Sequence, residues 1–298
     1  MMKRHESPWQ FLSEFRGTFF AGEWPTLPEM FSISVKRYPE RACFTVYEPE
    51  RVSLSYAEAY DLVLQVSQYL LSIGIKKGDK VAVTGKNSPE WAVAYLSILF
   101  SGATVVPIDY QLKVEEMDNL LKASDTKAFF VDEEKFVEFD LKRNNLLAKL
   151  SLSRQKPGYI YSLKPDKEYA VDPAGETDLA AILFTSGTTG TPKGVMLTHK
   201  NFVADCFLAQ SNLNILYTDV FYALLPIHHS YTMLAVFIES LSVGAELVFG
   251  KKMVTKQILK DLKEAKITMF LGVPLLFNKV LQGIMHGIKE KEIGRAHV

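Results

Sequence analysis

AAILFTSGTTGTPKG, residues 180–194, joins a five-residue apolar run to a row of hydroxyl and glycine residues that ends in one lysine. An apolar run that short, bounded by turn residues, reads as a buried strand. The stretch behind it has the composition that dense negative charge requires. Glycines let the backbone approach closely and leave N–H groups free to point inward, and serine and threonine hydroxyls add further donors. Ser186, Gly187, Thr188, Thr189, Gly190 and Thr191 meet both needs. Pro192 stiffens the exit without offering a donor, and Lys193 supplies a compact cation suited to a phosphate. Two common phosphate motifs are excluded by position. GxxxxGK[ST] fails because Pro192 precedes Lys193 and Gly194 follows it, and GxGxxG fails because the glycines are Gly187, Gly190 and Gly194. The alternative is a Ser/Thr/Gly linker that binds nothing, and composition alone does not separate the two. Placement between apolar strands favours a phosphate loop held at the edge of a rigid sheet.

Working outward, short apolar strands alternate with helices on both sides of this loop. Before it, strands are expected at residues 42–47, 80–84, 104–108 and 127–131. Ser55 and Glu58 have the spacing of a capping box, and Leu62, Val66, Tyr69 and Leu70 recur at helical spacing until Gly74. Further helices are expected from Trp91 and from Val114 to Leu121. After it, strands are expected at residues 180–184, 195–198, 220–226, 245–249 and 267–271, with helices after His199, Tyr231, Val254 and Pro274. Residues 132–177 are polar and rich in Pro and Gly, and read as a loop-rich crossing. The fold class is therefore α/β, with two stacked, mainly parallel sheets covered by helices, in subdomains of about 24–175 and 176–291.

Composition narrows the function classes. The 298 residues are 48% apolar with a formal net charge of zero and no long basic run, which excludes the electrostatic footprint of a nucleic-acid binder. Cys43 and Cys206 form no CxxC pair, arguing against a disulfide framework or a zinc site. The amino terminus lacks the apolar core of a signal peptide, so a cytoplasmic protein is expected. Residues 91–108 carry no charge and approach the length of a membrane span. Ser88-Pro89-Glu90 starts a helix and Gly102 stops it, so a buried helix followed by a buried strand is the better account.

Ten consecutive residues, TSGTTGTPKG at 185–194, resemble the signature of the adenylate-forming superfamily, which includes acyl-CoA synthetases, luciferase-like enzymes and the adenylation domains of peptide synthetases. Residues 54–58, 78–83, 87–91 and 102–109 are similar, in the same order, to the amino-terminal half of that family, so the resemblance runs from about Trp24 to Gly283. It implies the fold of the large amino-terminal domain and a loop, Thr185 to Thr191 with Lys193, that holds the phosphates of ATP. A substrate carboxylate then attacks the α-phosphorus, giving an acyl-adenylate and pyrophosphate, and a thiol, usually that of coenzyme A, takes the acyl group. Donors already aimed at the leaving pyrophosphate stabilise the transition state more than the ground state. On this resemblance Lys193, Thr185 and His229 are the candidate catalytic residues.

The His228-His229 pair lies between an apolar strand and an almost wholly apolar helix. On an extended segment the two rings point to opposite sides and do not gather on one metal, so zinc is set aside and no metal ligand is assigned. In the resembled motif the histidine matching His229 lies near the acyl carboxylate and the α-phosphate, and His228 is its neighbour at the nucleotide. Core packing explains the helix of residues 231–239 by default; the wall of a fatty-acyl channel is the sharper reading, and Glu239 within it is unexplained.

The wording around the His pair is most similar to bacterial long-chain fatty-acid CoA ligases. ATP, Mg2+ and coenzyme A are the implied cofactors and a fatty acid is the implied partner. A peripheral membrane contact and a homodimer are compatible with this, though nothing in the sequence fixes either. No counterpart is found of the family's Tyr-Gly-x-Thr-Glu segment with its magnesium-binding glutamate, of its ribose-binding aspartate, or of its carboxyl-terminal lysine. An incomplete AMP-binding domain over residues 1–291, lacking the carboxyl-terminal domain and turning over little, is therefore expected. Residues 292–298 depart from the family and read as a tail, either non-native, since 293–298 match what a common sequencing adapter encodes, or disordered. The alternatives are an acyl carrier protein ligase, another carboxylic-acid adenylating enzyme, and a non-catalytic nucleotide-binding fragment.

Overall fold

The β-branched and aromatic runs of the chain become strands, eleven among the described residues, and the capped amphipathic stretches between them become helices. The structure is a computed structural model that describes residues 9–140, 145–185 and 192–296; of residues 286–287 and 289–296 the backbone alone is described. In chain order the first elements are α1 (Leu12–Phe15), α2 (Leu27–Arg37), β1 (Ala42–Val46), β2 (Val52–Ser55), α3 (Tyr56–Ser72) and β3 (Lys80–Thr84). Then come α4 (Pro89–Phe100), β4 (Thr104–Ile108), α5 (Val114–Ala123), β5 (Thr126–Val131), α6 (Glu133–Phe136) and β6 (Ala148–Ser151). The remainder holds β7 (Leu179–Thr185), β8 (Lys193–Thr198), α7 (His199–Asn212), β9 (Val220–Ala223), α8 (Ser230–Thr232), a π-helical stretch (Met233–Ile238) and α9 (Glu239–Val243). β10 (Glu246–Phe249), α10 (Thr255–Glu264), β11 (Met269–Phe270) and α11 (Pro274–Ala296) complete it.

Local chemistry sets the helix starts. Ser55 and Glu58 form the expected capping box at α3, and Ser88 caps α4 ahead of Pro89 in its first turn. Thr26 and Glu29 form a second box at α2, and Thr198 with Asn201 a third at α7. Residues 91–108 prove to be the buried α4 followed by the fully buried β4. Among the described residues no helix is long and apolar enough to cross a membrane.

The strands form two mainly parallel sheets, each with one antiparallel edge strand. One has the order β6-β5-β3-β4-β7-β8, with β8 antiparallel to β7; the other has the order β11-β9-β10-β1-β2, with β2 antiparallel to β1. Sheet membership corrects the expected division of the chain near residue 175. β1 leaves the first section to pair in parallel with β10, Phe44 opposite Leu247, while β7 and β8 leave the second section to extend the first sheet through Val105 and Ala181. Packing supplies the reason. α3, α4 and the π-helical stretch share one apolar core with residues of both sheets, including Phe44, Val81, Val105 and Phe249, so each sheet completes the cover of the other. On the far face of the six-stranded sheet α5 packs Met117, Leu120 and Leu121 against Ala82, Val106 and Phe129.

Two ends differ from the sequence reading. The strand expected at 220–226 stops at Ala223, because the buried Asn87 side chain takes over the backbone groups that a longer strand would pair. Helix α11 continues to Ala296, so the first five residues of the supposed disordered tail are helical, while 297–298 lie outside the described residues.

Candidate functional site

Parallel sheets gather their loops at the carboxyl ends of their strands, and ligands of open α/β sheets bind there. Four such ends converge in this chain. β3 is followed by Asn87, β4 by Asp109, β7 ends on Thr185, and β9 leads through a turn to His228 and His229. β8 runs antiparallel, so its first residue, Lys193, lies at the same end and pairs with Thr185. Thr185 Oγ1 donates to the Lys193 carbonyl at 3.5 Å. Lys193 is exposed and makes no ion pair among the described residues. The expected loop residues Ser186, Gly187, Thr188, Thr189, Gly190 and Thr191 lie outside the described residues; β7 and β8 fix the two ends between which they run. Val105 of β4 pairs with Ala181 of β7, so Asp109 and Thr185 each lie four residues further toward the same end.

Asn87 ties the two sheets together at this end. Its Nδ2 donates to the carbonyls of Ala223 at 3.0 Å and Leu225 at 2.8 Å, and its Oδ1 accepts from Ile227 N–H at 3.0 Å. One side chain from the end of β3 thereby shapes the turn that presents the histidines. His229 then caps the following helix, its carbonyl accepting from Met233 N–H at 2.8 Å, and Thr232 Oγ1 donates to the Pro226 carbonyl.

That turn overturns the extended geometry expected for the His pair. The two rings do not point apart: their centroids are 4.2 Å from each other. His228 is buried, with Tyr110 edge-on at 6.1 Å, and its Nε2 lies 3.4 Å from Asp109 Oδ1 in a geometry that leaves it without a hydrogen bond. Burial and the neighbouring His229 lower its pKa to about 4 against the opposing pull of Asp109, so the imidazole is neutral at physiological pH. His229 is exposed. Asp109 is half-buried and accepts from Gln111 N–H at 2.9 Å. Asp109 and Asn87 were not assigned a role from sequence. The signal for both is a short polar residue directly after an apolar strand, which acquires meaning only once the strand ends converge.

The apolar stretch after the histidines is mostly core. Met233, Val236, Phe237 and Ile238 are buried, and Phe237 sets its ring edge-on to Trp91 and Tyr95 at 5.7 and 5.3 Å. Leu234 and Ala235 are half-buried, Leu234 packing against the same core. Glu239 lies buried beside Cys206 and Gln210 of α7, one carboxyl oxygen without a partner, and burial raises its pKa to about 7. Gln210 in turn donates to Ser242 Oγ and accepts from the Trp9 indole N–H.

The comparisons with known proteins agree with this architecture. The AMP-binding enzyme family matches residues 31–295. The chain belongs to the AMP-binding enzyme family. Two Arabidopsis thaliana relatives are the chloroplastic long-chain-fatty-acid–[acyl-carrier-protein] ligase AEE15 and long chain acyl-CoA synthetase 4. AEE15 is 26% identical over 97% of this chain, and synthetase 4 is 27% identical over 88%. The match spans 44% of each of those proteins, so the chain covers less than half the length of these relatives. Among solved structures, the N-terminal domain of FACL13 from Mycobacterium tuberculosis superposes with a TM-score of 0.77. It is 23% identical, over 86% of this chain and 65% of that one, a likeness of fold. The two mixed sheets with their helices are thus those of the amino-terminal domain of adenylate-forming enzymes.

Proposed function

We propose that this chain forms the ATP- and acyl-binding part of an ATP-dependent acid–thiol ligase whose substrate is a fatty acid. The observation that carries the proposal is the convergence of Thr185 and Lys193 with His228 and His229 at one end of both sheets. In this reading the loop between β7 and β8 cradles the phosphates and Lys193 places a cation against the β,γ side. His229, exposed beside the phosphate end, meets the substrate carboxylate. A carboxylate oxygen attacks the α-phosphorus, the bond to pyrophosphate breaks, and the acyl-adenylate remains; the thiolate of coenzyme A then attacks the acyl carbon and AMP leaves. Thr185 and Lys193 act on the leaving pyrophosphate, where charge grows in the transition state.

Mg2+ accompanies ATP in this chemistry and prefers oxygen ligands at near-octahedral geometry. Among the described residues one group of three potential ligands gathers, Asp109 with His228 and His229, and its two imidazoles do not suit Mg2+. Magnesium would enter with the triphosphate, with no residue of that group as its cage.

The names of the relatives, a fatty-acid acyl-carrier-protein ligase and a long-chain acyl-CoA synthetase, support a fatty acid. The first of those names also favours a second reading, a carrier-protein thiol as acceptor. The test is binding of acyl-adenylate analogues with a non-hydrolysable sulfamate linkage and acyl chains of two, eight and sixteen carbons. Affinity rising with chain length supports the reading, and equal affinity across the series, or tighter binding of an aromatic acyl group, contradicts it. The match spans 44% of the length of the two Arabidopsis relatives, and little pyrophosphate release is expected from this chain with palmitate and ATP. Robust release would overturn that part.

A further inference from the structure

Asp109, His228 and His229 bring one carboxylate and two imidazoles together with their ligand atoms no more than 4.8 Å apart. No other histidine, cysteine or carboxylate trio gathers in this way among the described residues. The three come from the carboxyl ends of strands in different sheets, β4 for Asp109 and β9 for the histidines, so the fold and not local sequence assembles them.

Tetrahedral zinc with bonds of about 2.0–2.2 Å holds its ligand atoms about 3.3–3.6 Å from one another. His228 Nε2 and Asp109 Oδ1 are already 3.4 Å apart. His229 has to approach by about 1 Å, which its exposed ring can do by rotation, since terminal imidazole torsions are broad. A second observation points to a ligand. His228 Nε2 is buried and has no hydrogen-bond partner, and a buried polar atom left unpaired costs free energy that a metal bond would recover. Asp109 Oδ1 receives the Gln111 N–H, a contact that orients the carboxylate in the way outer-shell partners orient metal ligands.

We propose that Asp109, His228 and His229 form a binding site for a divalent ion of the zinc class, with water in the open fourth position. Two imidazoles and one carboxylate suit zinc and its neighbours in the first transition row and disfavour Mg2+ or Ca2+. The ion differs in kind and place from one that would travel with ATP phosphates. Occupancy takes His229 away from the acyl carboxylate, so the ion competes with that substrate; this consequence rests on the proposed function, whereas binding of the ion does not.

The test titrates Co2+ into the full chain carrying His5→Gln, His286→Gln and His297→Gln, follows the visible d–d absorption, and then displaces the cobalt with Zn2+. These substitutions leave His199 as the one histidine outside the site, and it is buried with Nδ1 engaged by Leu27 N–H. The expected result is one equivalent of cobalt with the intense bands of a four-coordinate ion, and affinity weakened at least tenfold by Asp109→Asn, His228→Ala or His229→Gln. Absence of saturable binding near one equivalent overturns the proposal. So does unchanged affinity in His229→Gln, which alters an exposed side chain and keeps the fold even should His228→Ala unfold the protein. Because the readout is metal binding itself, failure of the adenylate analogues to bind leaves this result standing, and the reverse also holds.

Discussion

Replacing Glu239 with glutamine should change how stability depends on pH, and the size of the change follows from its burial. Glu239 is 2% exposed, and its pKa rises from the ordinary 4.5 to about 7 in the folded state. Below about pH 4.5 the carboxyl is protonated in both states and contributes no pH dependence. Between about 4.5 and 7 the unfolded chain releases the proton while the folded one keeps it, so stability falls as pH rises; above 7 the loss is complete. At about 1.4 kcal/mol per pH unit the full loss is ~3 kcal/mol, of which about 2.5 kcal/mol develops between pH 5 and pH 8. Two buried imidazoles act in the opposite sense. His199 and His228 have pKa values lowered to about 4, so they make the folded state bind fewer protons than the unfolded state up to about pH 6.5. The wild-type profile alone is therefore flattened, and the difference between variant and wild type isolates Glu239. Urea unfolding of both at pH 5 and pH 8 should show Glu239→Gln gaining about 2.5 kcal/mol on wild type over that interval. A difference constant within about 0.5 kcal/mol would refute the reasoning, because it would mean the carboxyl ionises at its ordinary pH despite its burial.

Asn87→Ala removes three hydrogen bonds that join the two sheets and leaves the buried Ile227 N–H without its acceptor, while the Ala223 carbonyl keeps its bond from Gly250 N–H, so a loss of about 2–4 kcal/mol is expected in urea unfolding. A loss below about 1 kcal/mol would show that water replaces the amide. Gly244 holds φ +81° at the end of α9, where an added Cβ would overlap the Tyr38 ring that stacks on Tyr217 at 4.6 Å. Gly244→Ala should therefore cost at least about 1–2 kcal/mol by thermal or urea unfolding, and a neutral result would mean that the Tyr38 ring yields freely. Lys193→Ala alters an exposed side chain that makes no ion pair among the described residues, so its unfolding free energy should stay within about 0.5 kcal/mol of wild type.

The elements were most legible where caps and β-branched runs coincide. β3 and β4 are short apolar runs bracketed by Asp79, Ser88 and Gly102, and both form over the residues expected. The phosphate-loop composition and the family resemblance also located Thr185 and Lys193 at a strand end. α2 was passed over although Thr26, Pro28 and Glu29 carry a complete start signal ahead of Leu27, Met30, Phe31 and Ile33. β2 and β6, four residues each, lie in polar surroundings and gain strand character only from their partners β1 and β5. Sheet membership was out of reach for a related reason: nothing near Phe44 announces that its partner is Leu247, some two hundred residues later. At the site, Asn87 and Asp109 are ordinary polar residues after strands, and the His pair was misjudged because the Asn87 contacts end β9 early and bend the segment into a turn.

The central claim is that the hairpin of β7 and β8 holds the phosphates of ATP, with Lys193 as its cation. Isothermal titration of Mg–ATP into the chain measures this directly. The account predicts saturable binding with one ATP per chain, weakened more than tenfold by Lys193→Ala and unaffected by Glu239→Gln. Absence of saturable binding by the folded wild-type chain, or equal affinity in wild type and Lys193→Ala, would contradict it.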